Sequence, residues 1–231
     1  MDIIKIAPAV HMVALGISNV YVCRDGDATT LVDTGPPGSG PAIRAALHAL
    51  GAGPEDLQRI VLTHFHDDHA GSAADLARWS GAQVVAGEGD AGFVRQVVAG
   101  PAALLTAAEE RLHAVVGAGL ERASACRVDQ EVVDGDLLLF GGGATVLSVP
   151  GHTPGSIALH LEDAGVLLTG DTIAEHQGSV VLGPFNTDRA SAWRSLERLA
   201  ALGTDVAGFG HGEPVVGNAS RALLAATDPF A

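Results

Sequence analysis

The stretch that decides the fold reads Ile60-Val61-Leu62-Thr63-His64-Phe65-His66-Asp67-Asp68-His69-Ala70-Gly71. It begins as a short run that is apolar on both faces, which predicts a buried strand. Four side chains able to bind a metal follow within six residues, at the end of that strand: His64, His66, Asp68 and His69. Because side chains alternate along a strand, the first two lie on one side, and the following loop can turn the other two toward a second point.

The chemistry of these groups predicts a metal site. Imidazole and carboxylate groups without thiolate suit zinc, iron, manganese or cobalt. The alternative is a polar loop whose histidines make ordinary hydrogen bonds. A chance cluster of this kind at the end of an apolar strand is improbable, so we favour the metal site.

Three further candidate ligands lie in similar settings later in the chain. His152 lies between prolines and glycines in Val149-Pro150-Gly151-His152-Thr153-Pro154-Gly155, Asp171 follows the expected strand end at 167–170, and His211 lies in Gly208-Phe209-Gly210-His211-Gly212. Each alone is equally consistent with a loop-stabilising histidine or a turn aspartate. Together they predict a site shared with the first segment, because sites in open α/β sheets gather at strand ends along one edge.

Strand-like and helix-like segments alternate along the chain, which predicts an α/β protein. Gly141-Gly142-Gly143 precedes a strand instead of a helix, so it predicts a hairpin turn and not a phosphate-binding loop. Strands are expected at 3–10, 20–23, 30–32, 60–62, 83–85, 137–140, 145–149, 157–161, 166–168 and 206–208, and helices at about 41–52, 72–79, 190–202 and 220–226.

Residues from 88 to about 125 are expected to form a helical insertion within a single domain that spans 1–231. Apolar residues recur on one face of a helix between Leu104 and Val116, starting just after Pro101. Two interpretations stay open. The insertion caps the pocket or forms a dimer face, or it packs on the sheet as an ordinary helix layer.

Composition excludes several classes of function. The chain has 231 residues with 13 Lys and Arg against 27 Asp and Glu, and the resulting charge of −14 argues against nucleic acid, which needs clustered basic side chains. Two cysteines are too few for a disulfide framework. Neither a secretory signal nor an apolar run of about 18 residues is visible. We therefore expect a cytoplasmic protein with a small-molecule substrate and no membrane partner, and we leave a homodimer open.

The ordered set His64-x-His66-x-Asp68-His69, then His152, Asp171 and His211, resembles the metallo-β-lactamase superfamily of metal-dependent hydrolases across essentially the whole chain. The resemblance implies an αββα sandwich, in which two mixed β-sheets are flanked by helices and two Zn2+ ions (alternatively Fe2+ or Mn2+) lie at one edge. By position, His64, His66 and His152 would hold one metal, Asp68, His69 and His211 would hold the other, and Asp171 would bridge them.

The resemblance also implies roles beyond metal binding. Asp33 would orient a ligand histidine, and an aspartate that only stabilises a turn is the alternative. Hydrolysis of an ester, lactone, thioester or amide would proceed by a hydroxide that bridges the metals. Asp68 and Asp171 are the expected catalytic residues because they would orient that hydroxide. His176 is expected in the substrate pocket, and the remaining histidines are interpreted as structural: His11, His48, His113 and His160.

Within the superfamily, the chain resembles the branch of glyoxalase II and the lactonases more than the true β-lactamases, although it departs from each individual pattern. True β-lactamases usually lack the bridging aspartate, so that activity is disfavoured, and weak β-lactamase activity stays an alternative. The glyoxalase II pattern fits incompletely, since only 20 residues follow His211 where those enzymes carry a basic helical domain. No tyrosine shortly follows Asp171, as it does in acyl-homoserine lactonases. Nuclease branches need large extra domains and a basic surface, and this sequence predicts neither.

Two rival hypotheses belong to other functional classes. One is a mononuclear iron oxidoreductase resembling the persulfide dioxygenases, with iron held by His64, His152 and Asp171. The other is a non-catalytic, metal-stabilised binding protein. Metal analysis separates the hydrolase from the oxidoreductase. About two zinc ions per chain favour the hydrolase, and about one iron with thiol-dependent oxygen uptake favours the oxidoreductase.

Overall fold

The first seven strands form one sheet whose strand order follows the chain, in a computed structural model that describes all 231 residues. The first four strands pair antiparallel, and the fourth to the seventh pair parallel. The strands are β1 (Asp2–Ala7), β2 (Val10–Ala14), β3 (Asn19–Asp25), β4 (Ala28–Val32), β5 (Leu57–Leu62), β6 (Gln83–Gly87) and β7 (Gln130–Val132).

Helices lie in the crossover connections that the parallel pairs require. They are α1 (Gly40–Ala49) between β4 and β5, α2 (Asp67–Ala70) and α3 (Ala73–Ser80) between β5 and β6, and α4 (Glu88–Val94) and α5 (Ala107–Val116) between β6 and β7.

The second half of the chain builds a six-stranded sheet and a separate two-stranded hairpin. The elements are β8 (Leu137–Leu138), β9 (Ala144–Ser148), β10 (Ile157–Leu161), β11 (Val166–Leu168), β12 (Ile173–His176), β13 (Ser179–Leu182), α6 (Arg189–Ala200), β14 (Val206–Gly208), β15 (Val215–Val216) and α7 (Ala219–Leu224). The sheet order is β15-β14-β11-β10-β9-β8, in which only β11 and β14 are parallel, and β12 pairs with β13.

Three apolar clusters separate four layers. One cluster lies between α1, α3 and the first sheet, one lies between the two sheets, and one lies between the second sheet and helices α6 and α7. Strand β5 shows the cause: Ile60 and Leu62 face the helices, whereas Val61 faces the other sheet. Because the strand is buried on both faces, its residues are apolar on both, and the predicted αββα sandwich is confirmed.

The structure differs from the sequence-based expectation at several elements. The run 3–10 is not one strand, because a turn at Pro8 and Ala9 separates β1 from β2. Proline cannot donate to a sheet ladder, which ends the first strand there. The hairpin of β12 and β13 lies in a stretch for which no strand is predicted.

The insertion between β6 and β7 starts its second helix later than expected. Helix α5 begins at Ala107, because Thr106 accepts a hydrogen bond from the Glu109 backbone amide and Glu109 reaches back to the Thr106 amide. Glu109 is the buried residue of this helix, whereas Val116 is 52% exposed. The apolar stripe of α5 therefore does not pack into the core of the sandwich.

No helix combines the length and the apolar character that crossing a membrane would require.

Tyr21 provides a test of how the two sheets are joined. Its buried hydroxyl on β3 donates a 2.7 Å hydrogen bond to the Phe209 carbonyl, just beyond β14. We expect Tyr21→Phe to lower the free energy of unfolding by about 1 kcal/mol, measured by urea denaturation, because the carbonyl loses one of its donors. The Asn19 amide at 3.2 Å remains as the other donor. An unchanged unfolding free energy would contradict this role.

Candidate metal centre

The loop after β5 turns its ligand residues inward through a short helix. His66 immediately precedes α2, and His69 lies on it. The His69 carbonyl accepts 2.7 Å hydrogen bonds from both the amide and the hydroxyl of Thr34, which fixes this helix against the end of β4. The position of helix α2 is therefore fixed by these hydrogen bonds to its backbone, in addition to the contacts of its ligand side chains.

A first group of nitrogen donors joins the β5 loop to the loop after β9. His64, His66 and His152 each place one ring nitrogen within 4.8 Å of the others. The Nε2 atom of His152 lies 2.9 Å from Nδ1 of His66. His64 and His152 are almost completely buried, so the group is closed to solvent on the side of the sheets.

A second group joins the same loop to the end of β14. Asp68, His69 and His211 also place their ligand atoms within 4.8 Å of one another. His69 Nε2 lies 3.3 Å from His211 Nε2, and Asp68 Oδ2 lies 3.6 Å and 3.3 Å from these two nitrogens.

Asp171 lies between the two groups. Its Oδ2 atom is 3.9 Å from His64 Nε2, 3.7 Å from His152 Nε2 and 3.1 Å from His211 Nε2. Its Oδ1 atom is 3.2 Å from His69 Nε2. All seven residues predicted as ligands thus converge at one edge of the sandwich, and a single carboxylate is shared between the two groups.

Asp33 orients one histidine of each group. Its Oδ2 atom accepts a 3.0 Å hydrogen bond from Nδ1 of His69 and a 2.8 Å bond from the Thr63 hydroxyl. The Thr63 oxygen lies 3.0 Å from Nδ1 of His64 and is thereby left to accept from it. Both rings therefore carry their proton on Nδ1 and present the Nε2 lone pair to the site.

Backbone carbonyls orient the rings of two further histidines, His152 and His211. The Nδ1 atom of His152 lies 3.1 Å from the Pro184 carbonyl, and that of His211 lies 2.8 Å from the Ile17 carbonyl. A carbonyl oxygen can only accept, so each Nδ1 carries the proton and each Nε2 is free to bind a cation.

The electrostatics divide the histidines into two sets. Burial lowers the pKa of His152 to about 3, and the neighbouring His66 adds to this effect. Burial likewise lowers the pKa of His64 well below its ordinary value, assisted by the charge on His69. These rings are neutral at physiological pH, which is the protonation state that a metal ligand requires.

The rings beside the carboxylates behave in the opposite way. Burial on its own would lower the pKa of His211, but the charge of Asp171 and the hydrogen bonds to Asp171 and Asp68 together outweigh burial and raise that pKa to about 10. Burial opposes ionisation of Asp68 too, yet the charges of His69 and His211 lower its pKa to about 2. These carboxylates thus favour a positive charge beside them, which a bound metal ion would supply.

The donor set fits metal ions. His64 Nε2 is buried without a hydrogen-bond partner, which is uncommon for a buried polar atom. The facing Nε2 lone pairs of His69 and His211 repel at 3.3 Å unless a proton or a cation lies between them. Imidazole and carboxylate donors without thiolate match zinc and similar divalent ions.

Asp90 is a site residue that the sequence analysis did not identify. It is fully buried on α4, where Oδ2 accepts from the Phe65 amide at 3.0 Å and from the Thr153 hydroxyl at 2.7 Å. Oδ1 accepts from the Gly155 amide at 2.7 Å. Burial raises the pKa of Asp90 to about 6 against these bonds. Asp90 thus joins the His64–His66 loop to the His152 loop, and an acidic residue in the first turn of a helix gave no signal of this role.

A cavity of about 1310 Å³ opens from the metal-binding residues toward the insertion. His66, Asp68 and His211 line one end of it, and the insertion supplies much of the opposite wall. His176, the predicted pocket residue at the end of β12, lines this cavity. His113, interpreted from sequence as structural, lines it as well and packs edge-on against Phe185.

Comparisons with known proteins agree with this architecture. The family model of the metallo-beta-lactamase superfamily matches residues 13–211. The uncharacterized protein YobT of Bacillus subtilis is 29% identical over 206 residues, covering 84% of this chain and 83% of that protein. A hydroxyacylglutathione hydrolase of Methylococcus capsulatus is 32% identical over 210 residues, covering 88% and 65%. One of Cereibacter sphaeroides is 31% identical over 175 residues, covering 75% and 53%, so the chain spans little more than half of that relative.

Solved structures share the fold across nearly the whole chain. A metallo-beta-lactamase family protein of Thermus thermophilus superposes with a TM-score of 0.72 at 28% identity, covering 95% of this chain and 78% of that one. A metallo-beta-lactamase of Cronobacter sakazakii superposes with a TM-score of 0.70 at 26% identity, covering 92% and 78%.

The role of Asp90 can be tested with Asp90→Asn. The amide keeps one acceptor oxygen, so one of the Phe65 and Gly155 amides loses its partner. We expect the free energy of unfolding to fall by about 1–3 kcal/mol and zinc affinity to fall about tenfold, measured by competition with a chromophoric chelator. Glu88→Gln, an exposed change on the same helix, is the control. Equal affinities for both variants would refute the assignment.

The close contact between Gly210 and the shared Asp171 carboxylate can be tested by adding a methyl group at Gly210. A Cβ atom there would lie 1.9 Å from Asp171 Oδ1 and 2.7 Å from His69 Cε1. We expect Gly210→Ala to displace Asp171 and to weaken zinc binding by at least about tenfold in the same chelator competition. In the control Gly53→Ala, the new methyl meets only the mobile end of exposed Glu55 at 3.1 Å. Wild-type affinity in Gly210→Ala would show that the carboxylate is not held in this position.

Proposed function

This chain belongs to the metallo-beta-lactamase superfamily, and on that premise we propose that it is a dinuclear zinc hydrolase of small acyl substrates such as esters, lactones, thioesters or amides. One observation carries the proposal: Asp171 lies within 3.1–3.9 Å of nitrogens from both donor groups. Two cations a few ångströms apart repel each other, and a shared carboxylate offsets that repulsion.

When bound, such ions would lower the pKa of a coordinated water molecule and would polarise a carbonyl oxygen. The residues of the chain supply orientation. Asp68 is ionised at neutral pH, because its pKa is about 2, and its Oδ2 faces His69 and His211. It is therefore placed to accept a hydrogen bond from the attacking water and to direct the water's lone pair at the carbonyl carbon.

The fixed rings contribute preorganisation. Hydrogen bonds to Asp33, Pro184 and Ile17 hold the Nδ1 atoms of three of them, so the donor atoms need little rearrangement during the reaction. His176, on the cavity wall, is the proposed substrate contact.

The relatives support an acyl substrate but do not specify it. Hydroxyacylglutathione hydrolases are named for hydrolysis of an acyl derivative of glutathione, and this chain spans 53–65% of the two described above. We therefore propose an acyl group as the part of the substrate that is hydrolysed, and we do not propose glutathione as its carrier.

Metal stoichiometry tests the two donor groups. After reconstitution with zinc, we expect about two zinc ions per wild-type chain by elemental mass spectrometry. His211→Ala removes a ligand of the second group only, so it should retain about one. The exposed His48, on α1, serves as the control, and His48→Ala should retain about two. In the protein as purified, before zinc is added, about one iron per wild-type chain with thiol-dependent oxygen uptake would favour an oxidoreductase instead.

The same proteins are then assayed with lactones, thioesters, aryl esters and β-lactams. We expect turnover of at least one acyl class by the zinc-loaded wild type and by His48→Ala. His211→Ala should lower kcat/KM at least about 100-fold, because removing a metal ligand disrupts the group that activates water. No turnover of any compound in the panel would overturn the hydrolase proposal.

A further inference from the structure

From the cavity beside the metal centre we propose that the substrate carries an extended, uncharged apolar acyl chain, which lies between the metal-binding loop and the helical insertion. This inference rests on the proposed hydrolase function and specifies its substrate class. At about 1310 Å³, the cavity exceeds the usual range of about 300–1,000 Å³ for small-molecule pockets. It is continuous with the centre, because His66, Asp68 and His211 form part of its lining.

Aromatic rings begin the apolar wall next to the ligands. The Phe65 ring lies 4.8 Å from His66 and 4.9 Å from Phe93, measured between centroids. Gly100 of the insertion packs directly on Phe65, since a Cβ at Gly100 would approach that ring to 2.4 Å. The apolar surface therefore extends without a break from the metal-binding loop to the insertion.

Helix α4 packs into the core through Ala91 and Val94, whereas the later part of the insertion is held by polar contacts and leaves several apolar side chains outside the core. Buried Glu109 accepts a 2.9 Å hydrogen bond from the Phe185 amide and forms an ion pair with Arg189. On the other side of the cavity, the Ala123 amide donates a 2.8 Å hydrogen bond to Asp67 in the metal-binding loop. The wall is thus fixed at both ends before any ligand binds.

Apolar residues of this wall remain open to solvent. Val97 is 73% exposed, Val98 is 54% exposed and Val116 is 52% exposed, and all three line the cavity. Exposed apolar groups that line a cavity are the expected signature of a site for an apolar ligand.

The charges of the cavity favour an uncharged chain. Arg122 is the one lysine or arginine in the lining; its side chain is 92% exposed and lies 3.9 Å from Asp67. Asp67 and Glu175, which are not among the proposed metal ligands, line the cavity as well. Away from the metal centre, the two carboxylates of glutathione would meet this acidic lining without clustered lysine or arginine side chains. A neutral aliphatic acyl group meets no such cost.

The test uses 4-nitrophenyl esters from acetate to octanoate with the zinc-loaded protein. Transfer of each methylene from water to the cavity should raise kcat/KM about two- to fourfold, so octanoate should exceed acetate by at least about 50-fold. Direct binding is measured by saturation-transfer NMR, in which octanamide should bind and acetamide should not.

Two neighbouring valines on α5 give a matched pair of variants. Val116 lines the cavity, whereas Val115, 75% exposed, does not. We expect Val116→Asp to lower the octanoate-to-acetate ratio of kcat/KM about tenfold and to weaken octanamide binding. Val115→Asp should change both by less than about twofold.

The outcomes separate this inference from the hydrolase proposal. Turnover that does not depend on chain length, together with no octanamide binding, would overturn the inference and leave the hydrolase standing. The hydrolase proposal falls only if no compound of the wider panel is turned over, and octanamide binding would then still decide whether the cavity takes an acyl chain: binding supports the inference, and no binding overturns it. If both valine variants convert a dimer to a monomer in analytical ultracentrifugation without changing the ratio, the wall is a subunit interface and the inference is wrong.

Discussion

The attraction between the buried Asp171 carboxylate and the imidazoles around it is the interaction on which the rest of the site depends. Asp171 comes from the end of β11, whereas its neighbours come from the loops after β5, β9 and β14. These loops belong to different sheets, so the carboxylate can be surrounded only when the sheets pack face to face. The apolar layer between the sheets therefore determines the geometry of the polar site, and errors in that packing would appear first as a misplaced ligand.

Residues at strand ends could be read from the sequence because their setting is local. His64 and His66 follow a run that is apolar on both faces, and the flanking prolines and glycines mark His152 as a loop residue. The family pattern then supplied the pairing of ligands across the two sheets. Strands β10, β11 and β14 were predicted with their observed bounds for the same reason, since each is a compact apolar run with turn residues on both sides.

Other features could not be predicted because they depend on contacts between distant segments. Asp90 joins two loops through three hydrogen bonds, and its neighbours in sequence show only an acidic first helical turn. The hairpin of β12 and β13 contains Glu175, His176 and Gln177, which interrupt the apolar pattern of a strand. The start of helix α5 at the Thr106–Glu109 capping box is a local signal in the sequence, whereas the position of its apolar stripe beside a cavity depends on contacts with the distant residues Phe185 and Arg189.

The agreement between strand order and chain order in the first sheet has a consequence for synthesis on the ribosome. All seven strands are available once residue 132 has been made, so this sheet can form by pairing each new strand with a neighbour already in place. Its inner face, including Met12, Tyr21 and Val61, remains uncovered until the second sheet follows. A nascent chain halted at this stage would expose an apolar sheet surface together with the His64–His69 part of the site, and exposed apolar surface of this kind favours aggregation.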